Sequence, residues 1–290
     1  MRFKLLEPTC LARAVEILEQ QENVAILAGG TDLLVKIKTG LIKPSIVLSL
    51  RKIPDLNKIE YQEGHGLRIG QLVTHAQVAG NAVVLERFSA LAKACSLVGS
   101  PQIRNLGSVV GNLANASPAA DSAPALLALG AELLLLGPKG RRRVSLKSFF
   151  RGPGQTVLER GELIEELFVP EPEKGTQSIY YKIGRRKALE IAICGVALVA
   201  TPKESHWWNV SLGLGAVGPT PMLAIQASAL LEGQLWSESV IDQSSNIATK
   251  ECSPIDDMRA TANYRQTMVK VLVQRSIREL ISRGETEVNA

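Results

Sequence analysis

Histidine, cysteine and aromatic side chains are scarce in this 290-residue chain, and each scarcity removes a class of function. The three histidines, His65, His75 and His206, stand far apart, so their spacing yields no metal cluster and no nucleophile and base pair. Four cysteines at 10, 95, 194 and 252 form no Cys-x-x-Cys pair and are too few for a disulfide framework; they read as reduced thiols. Only 4% of residues are aromatic, and the basic runs 141–143 and 185–187 contain none. Single-stranded nucleic-acid binding needs such rings for base stacking, so no nucleic-acid partner is expected despite a net charge of +5. Long apolar runs are missing too. The most apolar stretch, residues 123–136, is interrupted by Gly130 and Glu132 and falls short of the roughly 20 residues of a membrane helix. The amino terminus, with its early Glu7 and Pro8, lacks a signal-peptide core, and a cytoplasmic location is expected.

What is present, 46% hydrophobic residues over 290, is enough for two domains. Apolar spacing predicts a helix over residues 11–20 with Thr9 as cap, then a strand near 24–28, a glycine turn at 29–32, a helix over 33–38 and a strand over 45–50. Short strands are predicted between 53 and 70, and helices over 74–87 and 89–97. Asp121 heads a helix to about 129, with Pro124 in its first turn, and strands follow at 132–136 and 163–170. The run Pro170-Glu-Pro-Glu-Lys-Gly reads as a linker. Beyond it, strands near 178–183, 191–200 and 208–216 have short connections, which favours a three-stranded antiparallel sheet. Two or three helices close the chain, and the last carries an apolar stripe of Val269, Leu272, Val273, Ile277, Leu280 and Ile281.

Two glycine patterns invite a ligand. Gly213-Leu-Gly-Ala-Val-Gly matches the dinucleotide motif literally, but Pro219 and Pro221 follow where that fold starts a helix, so it reads as a strand ending in a turn. The segment 107–124 is different. Its residues are small, it carries one charge and shows no clean period, which predicts an irregular polar loop whose backbone amides can approach a ligand. Such a loop is either a binding site or plain surface.

Ala25-Ile-Leu-Ala-Gly-Gly-Thr-Asp-Leu and Ser100-Pro-Gln-Ile-Arg-Asn-Leu-Gly-Ser-Val-Val-Gly-Asn together resemble the pyrophosphate-binding segments of the FAD-binding subunit of the molybdenum hydroxylases, the group of xanthine, nicotinate and carbon monoxide dehydrogenases. The resemblance extends through Ser117-Pro-Ala-Ala-Asp-Ser-Ala-Pro, Glu162-Leu-Ile, Val169-Pro170, Tyr181-Lys-Ile-Gly-Arg-Arg and Ala262-Asn-Tyr-Arg-Gln-Thr-Met-Val, nearly the whole chain. It implies an α+β fold: a two-part FAD-binding domain of the vanillyl-alcohol-oxidase-like type over 1–172, divided near residue 54, then a smaller domain over 173–290. It also implies roles. Ile26, Leu27, Ala28, Gly29, Gly30, Thr31, Asp32 and Leu33 would wrap the FAD pyrophosphate from one side, and Ser108, Gly111 and Asn112 would close from the other. Asn115 and Asp121 would reach ribityl or ribose hydroxyls, Ile164 would pack on the cofactor, and Lys182 would add a positive contact. Residues 187–190 would lie near the isoalloxazine and shape access for NAD or another acceptor.

The family usually has paired glycines before Asn112, whereas this chain has Val110 and Gly111. A β-branched residue there predicts a restricted backbone and a displaced or weaker phosphate site. By resemblance, the iron-sulfur clusters and molybdopterin belong to partner subunits, with substrate hydroxylated at molybdenum and electrons passed through [2Fe-2S] clusters to this FAD. No catalytic acid or base and no metal ligand is therefore assigned here. Two other readings stay open: a stand-alone flavin oxidoreductase, and an assembly subunit in which Val110 has abolished FAD binding.

Overall fold

The computed structural model describes residues 2–186 and 189–288, with side chains as far as 283. Among these residues the chain forms two successive sheets around one cleft, a third sheet beyond them, and a two-stranded ribbon of Phe150–Gly152 with Gln155–Thr156. The first sheet is parallel, Ile46–Ser49 lying between Lys4–Leu6 and Val24–Leu27. The helix Leu11–Gln20 covers it by burying Ala14, Val15 and Ile17, the stripe its apolar spacing predicts. Thr9 is not its cap. The capping position falls to Cys10 in extended backbone, with no side-chain bond to the helix amides.

The second sheet is antiparallel, in the order Ile59–Gln62, Gly66–Gly70, Leu163–Pro170, Glu132–Gly137, Gly140–Ser145. Leu163–Pro170 sits at its centre and buries Leu163, Ile164, Leu167 and Val169. The helix expected over 74–87 is two, His75–Gly80 and Ala82–Arg87. Asn81 breaks it. Its backbone is extended and its side chain accepts from Val84 N at 3.1 Å, so a residue that reads as mid-helix serves as a cap for the next helix.

The third sheet runs Gln177–Ile183, Cys194–Lys203, His206–Gly215, and gains a short fourth strand, Met222–Leu223, where three were expected. The helices Ile225–Leu231, Glu238–Glu251 and Ala262–Val288 follow it. The last buries Val269, Leu272, Val273, Ile277 and Leu280, and Ile281 packs partly buried beside them. Gly213 and Gly215 explain themselves at once. A β-carbon on Gly213 would stand 2.1 Å from the Pro124 carbonyl oxygen, and one on Gly215 would stand 2.7 Å from the Pro124 ring. These glycines let the wholly buried helix Ser122–Ala128 lie directly on the sheet. No helix among the described residues is long and apolar enough to cross a membrane.

Candidate functional site

The segment expected to be an irregular loop ahead of the helix at Asp121 carries a helix of its own, Val109–Ala114. Ser108 caps Val109–Ala114 by accepting from Gly111 N at 3.1 Å. Ala116 then turns the chain with φ +48, and Asp121 opens Ser122–Ala128. Six residues of mostly small side chains leave no amphipathic period to read in the first, whereas the second is the helix expected from Asp121 and Pro124.

This segment is locked to its neighbours by backbone. His75 N donates to Gly107 O at 3.0 Å and Val109 N to Val73 O at 3.0 Å. On the other side stands the turn 29–32. A β-carbon on Gly29 would meet the Leu106 carbonyl oxygen at 2.0 Å, and one on Gly107 would meet Thr31 Oγ1 at 3.2 Å. The two glycine segments therefore touch main chain to main chain. The amide N–H groups of Gly29, Gly30, Thr31 and Asp32 donate to no protein acceptor among the described residues.

Where the segments part, a cleft of about 550 Å³ opens. Ile26, Ala28, Gly29, Gly30, Thr31, Asp32, Leu33, Ser108, Gly111, Asn112, Asn115, Asp121 and Ile164 all border it. Leu27 and Lys182 do not. Leu27 points back to pack beside Gly30, whose φ is +82. Lys182 is buried under the cleft, and its three donors go to Asp121 Oδ2 at 2.7 Å, Leu97 O at 3.0 Å and Glu190 O at 2.9 Å. Tyr180 donates to the other Asp121 oxygen at 3.1 Å. Burial pushes the Asp121 carboxyl up, while the Lys182 ammonium and the Tyr180 hydroxyl oppose that shift. The same burial holds the Tyr180 phenol far above its ordinary range.

Val110 borders the cleft and is buried, 4% exposed, in a core shared with Leu113, Leu126 and Leu167. It belongs to the helix Val109–Ala114 and has no positive φ, so the expected backbone restriction has no cost here. Of residues 187–190, Lys187 and Ala188 lie outside the described residues, as does the end of the basic run 185–187. Leu189 and Glu190 reach the cleft, with Leu189 N donating to Gly99 O at 3.2 Å. Ile191, expected to begin a strand, precedes it instead and lines the mouth.

Three residues went unrecognised in the sequence. Lys36 reaches across to Asn115 Oδ1 at 2.6 Å and brings a positive charge to the cleft wall. Its spacing of four from Asp32 is the signal that could have placed it there. Gln71 and His75 also border the cleft, and nothing in their local pattern marks them. His75 is held neutral down to about 4, first by burial and then by the Arg104 charge.

Comparison with known proteins follows this geometry. Residues 1–172 match the family described as FAD binding domain in molybdopterin dehydrogenase, and 179–280 match CO dehydrogenase flavoprotein C-terminal domain. The nicotinate dehydrogenase FAD-subunit of Eubacterium barkeri is 34% identical over 80% of each chain. The carbon monoxide dehydrogenase medium chain of Afipia carboxidovorans is 31% identical over 98% of each. In the solved structure of carbon monoxide dehydrogenase from Hydrogenophaga pseudoflava, one chain superposes with a TM-score of 0.92 at 30% identity, covering 96% of both chains.

Proposed function

This chain belongs to the FAD-binding medium subunits of the molybdenum hydroxylase family, and we propose that it receives electrons from the [2Fe-2S] clusters of a partner subunit into FAD held in this cleft. The observation that carries the reading is the meeting of the 29–32 turn with the 106–107 backbone beside unspent amides. A pyrophosphate is dianionic and mobile, and fixed N–H groups hold it without desolvating a side-chain charge. The lining fits FAD on other grounds as well: Lys36 brings a positive charge to the cleft, and Asn112, Asn115 and Asp121 bring side chains that can bond phosphate and hydroxyl oxygens.

When bound, FAD supplies an isoalloxazine ring that takes up and releases electrons singly or in pairs. The chain's own residues bind and orient it. The amides of 29–32 would hold the phosphates, with the Ser108 hydroxyl and the Asn112 side-chain amide closing from the other side, and Ile164 would present an apolar face to the cofactor. Asn115 keeps its amide N–H₂ free while Lys36 occupies its oxygen. Asp121 has acceptor capacity left on both oxygens for a ligand hydroxyl. Lys182 acts from beneath, fixing Asp121 and the Glu190 carbonyl rather than touching the cofactor.

The same reading divides the chain near residue 172 and assigns substrate chemistry to a molybdopterin subunit, with NAD or another carrier as acceptor. The four free thiols support a reducing, cytoplasmic setting. Purified chain titrated with FAD should acquire the absorption bands of bound oxidised flavin, and should co-purify with iron-sulfur and molybdenum-binding chains. A chain that stays colourless after FAD is added overturns the proposal; one that binds FAD but turns over substrate alone makes it a stand-alone oxidoreductase.

A further inference from the structure

Lys36 is the one cation on the wall of the cleft among the described residues, facing three carboxylates, Asp32, Asp121 and Glu190. Two of these are neutralised by cations that do not border it: Asp121 by Lys182 at 2.7 Å and Glu190 by Arg186 at 3.0 Å. Asp32 is exposed and forms no ion pair among the described residues. Lys36 is half-buried, and its ammonium commits one of three N–H donors, to Asn115 Oδ1 at 2.6 Å.

Its placement follows from helix geometry. Leu33–Lys38 begins directly after the 29–32 turn, and Lys36 N donates to Asp32 O at 3.0 Å, so Lys36 stands one helical turn along from Asp32. Long side chains on a helix lean toward its amino-terminal end, which carries the head of Lys36 back toward that turn and its free amides. Across the cleft, Asn115 N donates to Gly111 O at 3.0 Å, which sets Asn115 one turn beyond a glycine that faces Ala28: a β-carbon on Gly111 would lie 3.8 Å from that of Ala28. The Lys36–Asn115 bond therefore crosses the cleft about one turn, on either side, from where the two segments meet.

The charges narrow what this lysine can hold. Without it, the unbalanced charge on the cleft border is the Asp32 carboxylate, which repels a phosphate. With it, that charge is balanced and two charge-assisted donors remain for an anion. The bond to Asn115 also fixes a flexible side chain before any ligand arrives, which lowers the ordering cost of binding. Given the proposed FAD site, on which this rests, we infer that Lys36, held across the cleft by Asn115, is the cation that binds the FAD diphosphate. The positive contact that the sequence pattern places at Lys182 thus falls to a lysine on the opposite wall, since Lys182 is committed beneath the cleft.

The test titrates apoprotein of wild type, Lys36→Gln, Lys36→Arg and Lys36→Met with FAD, followed by flavin fluorescence. Lys36→Gln keeps a donor for Asn115 and removes the charge, whereas Lys36→Arg keeps the charge. The glutamine and methionine variants should bind FAD about 10-fold more weakly, the scale of one charge-assisted hydrogen bond, and the arginine variant should stay within about 3-fold of wild type. Raising salt from about 0.05 to about 0.5 M should weaken FAD binding by wild type more than by Lys36→Gln, because the charge being screened is gone from the variant. A lysine that only bridges the two walls predicts otherwise: Lys36→Gln binds like wild type, only Lys36→Met is impaired, and the two salt curves run parallel. Should Lys36→Met fail to fold, the glutamine and arginine variants carry the comparison. Wild type that binds FAD alongside Lys36→Gln within about 2-fold of it overturns this inference alone, whereas wild type that takes up no FAD overturns the functional reading beneath it.

Discussion

The carbonyl oxygen of Leu106 stands 2.0 Å from the place a β-carbon on Gly29 would occupy. No side chain fits between these two stretches of main chain, so the glycine is required by contact alone; its φ is not in the left-handed region. Everything proposed for the cleft depends on this closure, because it brings the 29–32 amides level with the Ser108–Gly111 turn.

Gly29→Ala should therefore separate the two segments. Backbone cannot yield as a flexible side chain can, and overpacking of this kind costs roughly 1–3 kcal/mol. The expected result is a lowered melting temperature and loss of FAD uptake. Gly80→Ala is the control, since nothing lies within 4 Å of its added carbon and its φ is ordinary. Equal FAD affinity in the two variants would refute the role given to the contact.

The buried pair Asp121 and Lys182 should behave as a unit. Lys182→Met leaves the Asp121 carboxylate buried with Tyr180 as its remaining partner, a change that costs roughly 3–5 kcal/mol in comparable sites. Asp121→Asn combined with Lys182→Met should recover part of that loss, though not the part due to the Leu97 and Glu190 carbonyls that Lys182 also satisfies. Urea unfolding of the two proteins measures the difference. A double variant no more stable than the single one would show that the charge pairing is incidental.

Stability should fall as the pH drops from about 6.5 to about 4. In that window the unfolded chain takes up a proton on His75 that the folded chain refuses, since burial holds the folded imidazole neutral to about 4. Protons bound preferentially by the unfolded state favour unfolding, by up to about 3 kcal/mol for a gap of this size. Asp121 works with the opposite sign, its raised carboxyl making ionisation at higher pH unfavourable to the fold. Both proteins in the comparison contain Asp121, so the difference between wild type and His75→Leu isolates the histidine. Parallel stability curves for the two would rule it out as the source.

Val110→Gly tests the one departure from the family pattern. Losing a buried valine and placing glycine in a helix should cost roughly 2–4 kcal/mol together. FAD affinity should not rise, because Val110 already has helical backbone and packs into the core. An affinity gain of about tenfold would show that the valine does obstruct the phosphates.

Much of this arrangement is legible along the chain. The helices Leu11–Gln20 and Leu33–Lys38 and the strand Leu163–Pro170 begin and end where apolar spacing places them, because each buries one face at a regular period. The helix Ser122–Ala128, buried on all sides, is legible instead from Asp121 and Pro124 at its start. Periodicity fails where the element is short or interrupted: Val109–Ala114 has six residues, and Asn81 divides a helix that composition alone would continue.

The glycine segments, their order and their resemblance to FAD-binding subunits were determined by the sequence, since small residues at fixed positions are a local constraint on backbone. Which side chains meet was decided by the tertiary structure. Lys182, expected at the cofactor, is committed to Asp121 and two carbonyls, while Lys36, unrecognised in the sequence, reaches across the cleft to Asn115. Hydrogen-bond capacity is a local property of a residue, but whether it is used depends on what packs against it from distant parts of the chain.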